Sequence, residues 1–427
     1  MIIVDTALQK RADAGKPIRV GVIGAGYMGR GMIMQIITAF KGMEVSAVFN
    51  RTIETAELAY TQSGVSNVKR ADSVAALEGA IDAKQAVVTD NPLLLCEAGN
   101  IDCIVEATGE VEFGAHVVTH AIKHGKDVVL LNAELDAVVG PELKVMADAA
   151  GVTITNCDGD QPGVVMNLHR WVKSIGYEPV LLGNMKGLQD HYRNPTTQQG
   201  FADAVKQKPK MITSFADGTK ISMEMVVVAN ATGFGVGTRG MYGPRAEHVT
   251  EAPGLFDVDE LREKGGLVDY ILGAEPGPGV FVLATRENEV LAQYAQYLKM
   301  GDGPLYTFYV PYHLPHLETP LTVARAVLFD DAAAAPMGGP VADVLTAAKT
   351  DLKAGQSLDG IGGYDCYGII DNYAVSRAGN CLPMSLSEAC VLKRDVKKDE
   401  IISYDDVALP KGRLVDELRA AQTARFG

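Results

Sequence analysis

Arg19-Val20-Gly21-Val22-Ile23-Gly24-Ala25-Gly26-Tyr27-Met28-Gly29-Arg30-Gly31 is the stretch on which the reading of this chain turns. Val20, Val22 and Ile23 form a short apolar run that leads into Gly24-x-Gly26-x-x-Gly29. Met32, Ile33, Ile36 and Ile37 follow at helical spacing. This is strand, tight turn and helix start, the setting in which three glycines cradle a dinucleotide. Gly24 makes a turn that a side chain would obstruct, Gly26 lets backbone approach a pyrophosphate, and Gly29 lets helix pack on strand. The pyrophosphate would sit on unpaired N–H groups at the positive end of a helix dipole. Tyr27 and Met28, which fill the motif and open the helix, complete the expected contact set.

A second strand, Glu44–Phe49, ends at Asn50-Arg51-Thr52. An NAD site usually has Asp or Glu there to accept from a ribose hydroxyl. Neutral Asn50 followed by Arg51 removes the repulsion toward a 2′-phosphate and offers it a cation. The expected cofactor is therefore NADP over NAD. An arginine that only stacks on adenine would admit either. Phe49-Asn50-Arg51-Thr52 also resembles the NADP-binding turn of 6-phosphogluconate dehydrogenases.

The chain has 427 residues, too many for one hydrophobic core, so more than one domain is expected. A net charge of −14 argues against nucleic acid or an acidic membrane surface as partner. No stretch nears the length of a membrane span, and no basic-then-apolar segment opens the sequence. The six cysteines include no C-x-x-C pair, which fits reduced thiols and a cytoplasmic enzyme.

Strand and helix patterns alternate as far as Val152–Asn156, which predicts an α/β fold with a doubly wound parallel sheet. Pro141–Ala150 reads as one of its helices. Ligands in such sheets bind beyond the carboxyl ends of the strands, which selects Thr108, Gly109, Asn132 and Glu134 as walls of a nicotinamide pocket. Ordinary strand-to-helix loops are the competing reading. The expected division is a Rossmann domain over 1–155, a catalytic and dimerisation α/β domain over 156–345, and a small β-rich domain over 346–427. Ala332–Gly339 reads as a linker between the last two.

With Asp351–Gly355 and Val391–Ile402, the tail resembles an SAF domain. The whole chain resembles the homoserine-dehydrogenase-like oxidoreductases that carry a C-terminal SAF domain, a group that includes 1-deoxy-D-xylulose 5-phosphate reductoisomerase-like enzymes. The resemblance implies an NAD(P)H-dependent oxidoreductase of a small polyhydroxy carbonyl, sugar-acid or sugar-phosphate substrate, acting as a homodimer or homotetramer. It includes an oxidoisomerase or reductoisomerase reaction within its range. The N-G-T-T-N stretch of homoserine dehydrogenases is absent, which sets homoserine behind the other substrates. A non-catalytic NADP sensor is the alternative from another class.

Hydride transfer to a carbonyl needs a proton carrier and groups that stabilise alkoxide. Lys186, at the end of an apolar strand, is the first choice, and the resemblance implies a lysine in this domain for that role. A solvated surface lysine is the competing reading. His191 and Tyr309 are the other catalytic candidates. Arg193, Arg239 and Arg245 are candidates to fork onto an anionic group, with Asn230 and Thr238 as neutral donors; Tyr309 or Tyr312 would close the pocket, in an aromatic-polar cluster with His313. No metal site is assigned. His116, His120 and His124 recur every four residues and read as a solvated stripe. Reductoisomerase chemistry often uses a divalent ion, for which Asp190 is the local ligand candidate.

Overall fold

The computed structural model describes residues 3–427 and divides them into two compact units. Among the described residues the first comprises 3–163 and 314–335, the second 164–313 and 336–427. This differs from the expected three-part order. The segment 314–335 returns to the first unit, and the tail joins the second rather than standing apart.

In the first unit, helix α1 (Val4–Asp13) precedes β1 (Ile18–Ile23), α2 (Tyr27–Ala39), β2 (Met43–Phe49) and α3 (Ile53–Gln62). Then come β3 (Lys69–Arg70), α4 (Val74–Asp82), β4 (Val87–Thr89), α5 (Leu93–Glu97), β5 (Cys103–Glu106) and α6 (Val111–Lys123). The run closes with β6 (Asp127–Leu130), α7 (Ala133–Ala150) and β7 (Ile154–Asn156). The seven strands form one sheet in the order β3-β4-β2-β1-β5-β6-β7, with every pairing parallel. Val20, Val22 and Ile23 are fully buried, as strands covered on both faces require. On α2, Met32, Ile33 and Ile36 turn the same face inward and are also fully buried. Each such side chain contributes roughly 1.5–3 kcal/mol through its removal from water.

The returning segment contributes α14 (Pro315–Phe329), whose Val323 and Ala324 join the core of α2 and the sheet. Gly31 on α2 admits this helix, since a Cβ there would lie 3.0 Å from the His316 ring. The expected linker is not a free one at its start. Ala333 and Ala334 are buried, and their N–H groups both donate to the Thr155 hydroxyl, at 2.9 and 3.1 Å. Helix α7 also begins earlier than expected. It starts at the Asn132 cap, and Pro141 lies inside it instead of opening it.

Helix α8 (Gln161–Ser174) leads into the second unit, which then runs through β8 (Glu178–Lys186), α9 (Pro195–Val205), α10 (Pro209–Ala216) and α11 (Thr219–Thr232). After α12 (Val258–Glu263) come β9 (Leu267–Leu272), β10 (Val280–Thr285), α13 (Glu289–Tyr297) and β11 (Leu305–Val310). The four strands order as β11-β10-β8-β9, with β8–β9 parallel and the other pairs antiparallel. The tail adds an antiparallel pair, β12 (Ala342–Ala348) with β13 (Cys366–Asn372), and a shorter pair, Val391–Leu392 with Val407–Ala408. Gly368 on β13 donates its N–H to the Thr219 hydroxyl at the start of α11, at 2.8 Å. This contact holds the tail to the body of its unit.

Candidate active site

The glycine turn in the first unit has the geometry the motif predicts. Gly24 has φ +104°, and a Cβ there would meet the Ala107 backbone at 2.9 Å. A Cβ on Gly29 would lie 2.0 Å from the Gly24 carbonyl oxygen. Gly26, the N-cap of α2, has open space where its Cβ would be, as a cradle for pyrophosphate demands. Asn50 does more than leave out a carboxylate. Its Oδ1 accepts from the Ala25 N–H at 3.1 Å and its Nδ2 donates to the Thr52 carbonyl at 2.9 Å, which fastens the glycine loop to the end of β2. Arg51 beside it is exposed.

At the end of β5 stands a residue that the sequence had hidden in an apolar run. Glu106 is fully buried and accepts from the Thr108 N–H at 2.9 Å, from the Thr108 hydroxyl, and from Asn132 Nδ2 at 2.7 Å. Burial raises its pKa, against the opposing effect of these donors. One carboxylate thus ties together Thr108 and Asn132, two of the expected pocket walls. Gly109 adopts φ +69° directly after Thr108. Asn132 caps α7 by accepting from the Leu135 N–H at 3.1 Å, and Glu134 is buried in that helix's first turn. One helical turn further into the unit, burial lifts the Asp136 carboxyl to about 7, with Asn156 Nδ2 donating to it at 3.3 Å.

In the second unit Lys186 is the last residue of β8 and half-buried, not a solvated lysine. Its Nζ donates to the Phe215 carbonyl at 3.1 Å. Loss of solvation lowers its pKa, while the charges of Glu224 and Asp217 act the other way. Asp217 is itself fully buried. Its Oδ2 pairs with Lys349 Nζ at 2.8 Å, and its Oδ1 accepts from the Thr219 N–H at 2.9 Å. The backbone carbonyl of Asp217 lies 2.8 Å from His191 Nδ1, and the His191 ring stacks on Tyr367 with centroids 4.4 Å apart. Two of the expected groups, Lys186 and His191, are therefore brought together around Asp217. Two residues before Lys186, and so on the same face of β8, Asn184 is fully buried. Both its amide oxygen and its amide nitrogen lack a partner among the described residues. A buried amide in that state calls for a water or a ligand group.

Comparison with known proteins agrees with this division of labour. Residues 18–130 match an oxidoreductase family with an NAD-binding Rossmann fold, and residues 159–319 match the catalytic domain of oxidoreductase DRL. A homoserine dehydrogenase from Corynebacterium glutamicum is 28% identical over 140 residues, 33% of this chain, and the chain spans only 28% of that protein's length. Among solved structures, myo-inositol 2-dehydrogenase from Lactobacillus plantarum is 14% identical, with 70% of this chain and 77% of that chain covered at a TM-score of 0.38. A 3-ketoreductase from Actinomadura kijaniata, solved with TDP-benzene and NADP, is 15% identical, with 73% and 90% covered at a TM-score of 0.35.

The remaining expected site residues are placed less favourably. Arg193 pairs with Asp190 at 3.0 Å, which occupies both the candidate anion anchor and the candidate metal ligand. Arg239 pairs with Asp371 at 2.8 Å. Asn230 is buried inside α11, where its Oδ1 accepts from the Val341 N–H at 2.8 Å and braces the backbone of the tail. Thr238 is exposed, in the loop ahead of Tyr242 and Gly243, whose N–H groups Asp269 binds at 2.9 Å. Tyr309 is exposed on the edge strand, its ring 6.4 Å from that of His248. Tyr312 is exposed and His313 half-buried. Sequence reasoning missed Asp217, Glu224 and Lys349 altogether. Asp217-Gly218 directly before an apolar helix was the one available signal.

Proposed function

We propose that this chain is an NADPH-preferring oxidoreductase of small polyhydroxy carbonyl compounds, sugar acids or sugar phosphates, with Lys186 as the proton carrier. The observation that carries the reading is Lys186 itself: a half-buried ammonium with a lowered pKa, set near two buried carboxylates. Lowering a lysine pKa toward neutrality is what acid–base work requires of it. Gly24, Gly26, Gly29 and Arg51 would hold the dinucleotide, and Thr108, Asn132 and Glu134 its nicotinamide end. A nicotinamide bound there supplies or takes a hydride.

The protein's own residues do the rest. Lys186 gives a proton to the oxygen of a reduced carbonyl, or takes one from an alcohol being oxidised. Asp217 and Glu224 hold the ammonium form within reach. The Asn184 amide supplies a donor and an acceptor on the same strand face. Under the reductoisomerase-like reading, Lys186 first removes a proton from an α-hydroxyl so that a carbon substituent can shift, and the aldehyde so formed is the group reduced. The SAF-like character of the tail, a homodimeric or homotetrameric assembly and a cytoplasmic setting belong to the same proposal. Among the described residues no helix is long and apolar enough to cross a membrane.

The test is Lys186→Met, assayed by NADPH absorbance against a panel of small polyols, sugar acids and sugar phosphates. Cofactor binding should persist while turnover falls by roughly 10²–10⁴-fold. Turnover preserved within about threefold would move the role to His191. Cofactor binding by the wild type without turnover on any panel member would favour a sensor.

A further inference from the structure

We propose that Glu97, His120 and His124 form a binding site for a divalent transition-metal ion of the zinc type on the first unit. The stripe His116, His120, His124 has the four-residue repeat that puts imidazoles on one helix face. The pair His120 and His124 alone is two ligands short of a structural zinc site. The fold adds a ligand from elsewhere, because the end of α5 brings Glu97 against α6. The ligand atoms of Glu97, His120 and His124 all lie within 4.8 Å of one another.

The hydrogen bonds already present orient these atoms for a metal. His124 Nδ1 lies 2.9 Å from the carbonyl oxygen of His120. A carbonyl can only accept, so Nδ1 carries the proton and the neutral ring keeps its lone pair on Nε2. An imidazole held at one nitrogen by a carbonyl and open at the other is the usual arrangement of a metal-ligating histidine. His120 Nε2 lies 2.9 Å from Glu97 Oε1, so a metal ion would replace the proton now shared between them. The two rings sit with centroids 4.3 Å apart. His116 is different. Its Nε2 lies 3.0 Å from Glu112, one turn back along the helix, and it takes no part in the trio.

Two imidazoles and one carboxylate suit zinc and its neighbours in the transition series, and not magnesium or calcium, which prefer oxygen alone. Solvent would complete the coordination, since Glu97 and His124 are exposed. The ion would not take part in hydride transfer. It sits at the C-terminal end of the 13-residue α6, about 20 Å along the helix from the Thr108–Glu110 turn that precedes it. Its effect is to clamp α5 to α6.

Isothermal titration of tag-free, chelator-treated protein with Zn²⁺ tests this, with Co²⁺ absorption as a second readout. One ion per chain is expected, with proton release measurable as a buffer-dependent enthalpy. His120→Ala and His124→Ala should each weaken binding at least tenfold. Glu97→Gln should weaken it as well, while His116→Ala should leave it unchanged and all four variants should still bind NADPH. Should His120→Ala lose its circular dichroism, His124→Ala and Glu97→Gln, both at exposed positions, decide the matter. Absence of saturable one-to-one binding, or His124→Ala binding as tightly as wild type, overturns the proposal.

Discussion

Replacing Lys349 by Met should destabilise the second unit more than any other single change near the site. Lys349 Nζ is 2.8 Å from Asp217 Oδ2 and donates to the Gly363 carbonyl at 2.7 Å, with the two side chains 4% and 0% exposed. Removing one partner of so deeply buried a pair leaves the other charge without compensation, at a cost of about 3–5 kcal/mol. For a unit of this size each kcal/mol lowers the melting temperature by about 2–4 °C, so a drop of roughly 6–20 °C is expected. Thermal melts followed by circular dichroism, for wild type, Lys349→Met, Asp217→Asn and the double variant, measure this. The double variant buries no charge and keeps an oxygen for the Thr219 N–H, so its loss should fall well short of the summed single losses. A Lys349→Met melt within about 2 °C of wild type at neutral pH, or strictly additive losses, would refute the reasoning.

Three further outcomes are expected. Gly29→Ala forces a Cβ to within 2.0 Å of the Gly24 carbonyl oxygen, so NADPH affinity, read by fluorescence titration, should fall at least tenfold, about 1.4 kcal/mol. Arg51→Ala should weaken NADP by roughly the 1.5–3 kcal/mol of a charged hydrogen bond and leave NAD nearly unchanged; equal weakening of both would show that Arg51 does not meet a 2′-phosphate. Burial raises Asp136 to about 7, far above its unfolded value, so its contribution to stability is present at acidic pH and disappears as pH rises through about 7. Asp136→Asn should accordingly flatten the stability–pH curve of the first unit between about pH 4 and 7, and a variant with an unchanged curve would count against that role.

How far the sequence could be read depended on how local each signal was. Gly24, Gly26 and Gly29 announce their purpose because turn, cradle and helix contact all fall within six residues. Asn50 was legible as a missing acid but not as a fastener of the Ala25 N–H, since that bond exists only once β1 and β2 lie side by side. Pro141 suggested a helix start because proline suits a first turn. The true start was marked by Asn132, whose capping role is plain only with Leu135 folded back onto it. Glu106 ends a run of buried strand residues, and nothing local distinguishes a fully buried carboxylate from a chain-end acid. Lys349 lies 132 residues after Asp217 in sequence, and only the docking of β12 and β13 against α11 makes them partners. Lys186 and His191 could be singled out because both lie in one polar stretch close to the strand that presents them, and the fold sets both beside Asp217. The arginines were chosen on charge alone, and charge could not foretell that Asp190 and Asp371 would pair with them.

The return of 314–335 to the first unit governs how this molecule can be made and cut. The polypeptide passes from one unit to the other three times, so no single excision yields a complete Rossmann half. A fragment ending near Gly163 would lack α14 and expose the apolar patch on α2 that Val323 and Ala324 cover. On the ribosome, the sheet formed by the first seven strands must wait for about 150 further residues to emerge before its covering helix arrives, at ~5–20 residues per second. Through that interval the nascent chain carries an uncovered greasy surface, which makes it a natural client for chaperones. Anyone wishing to study the nucleotide-binding half alone would have to rewire the chain, joining α14 to residue 163 by a designed loop, rather than truncate it.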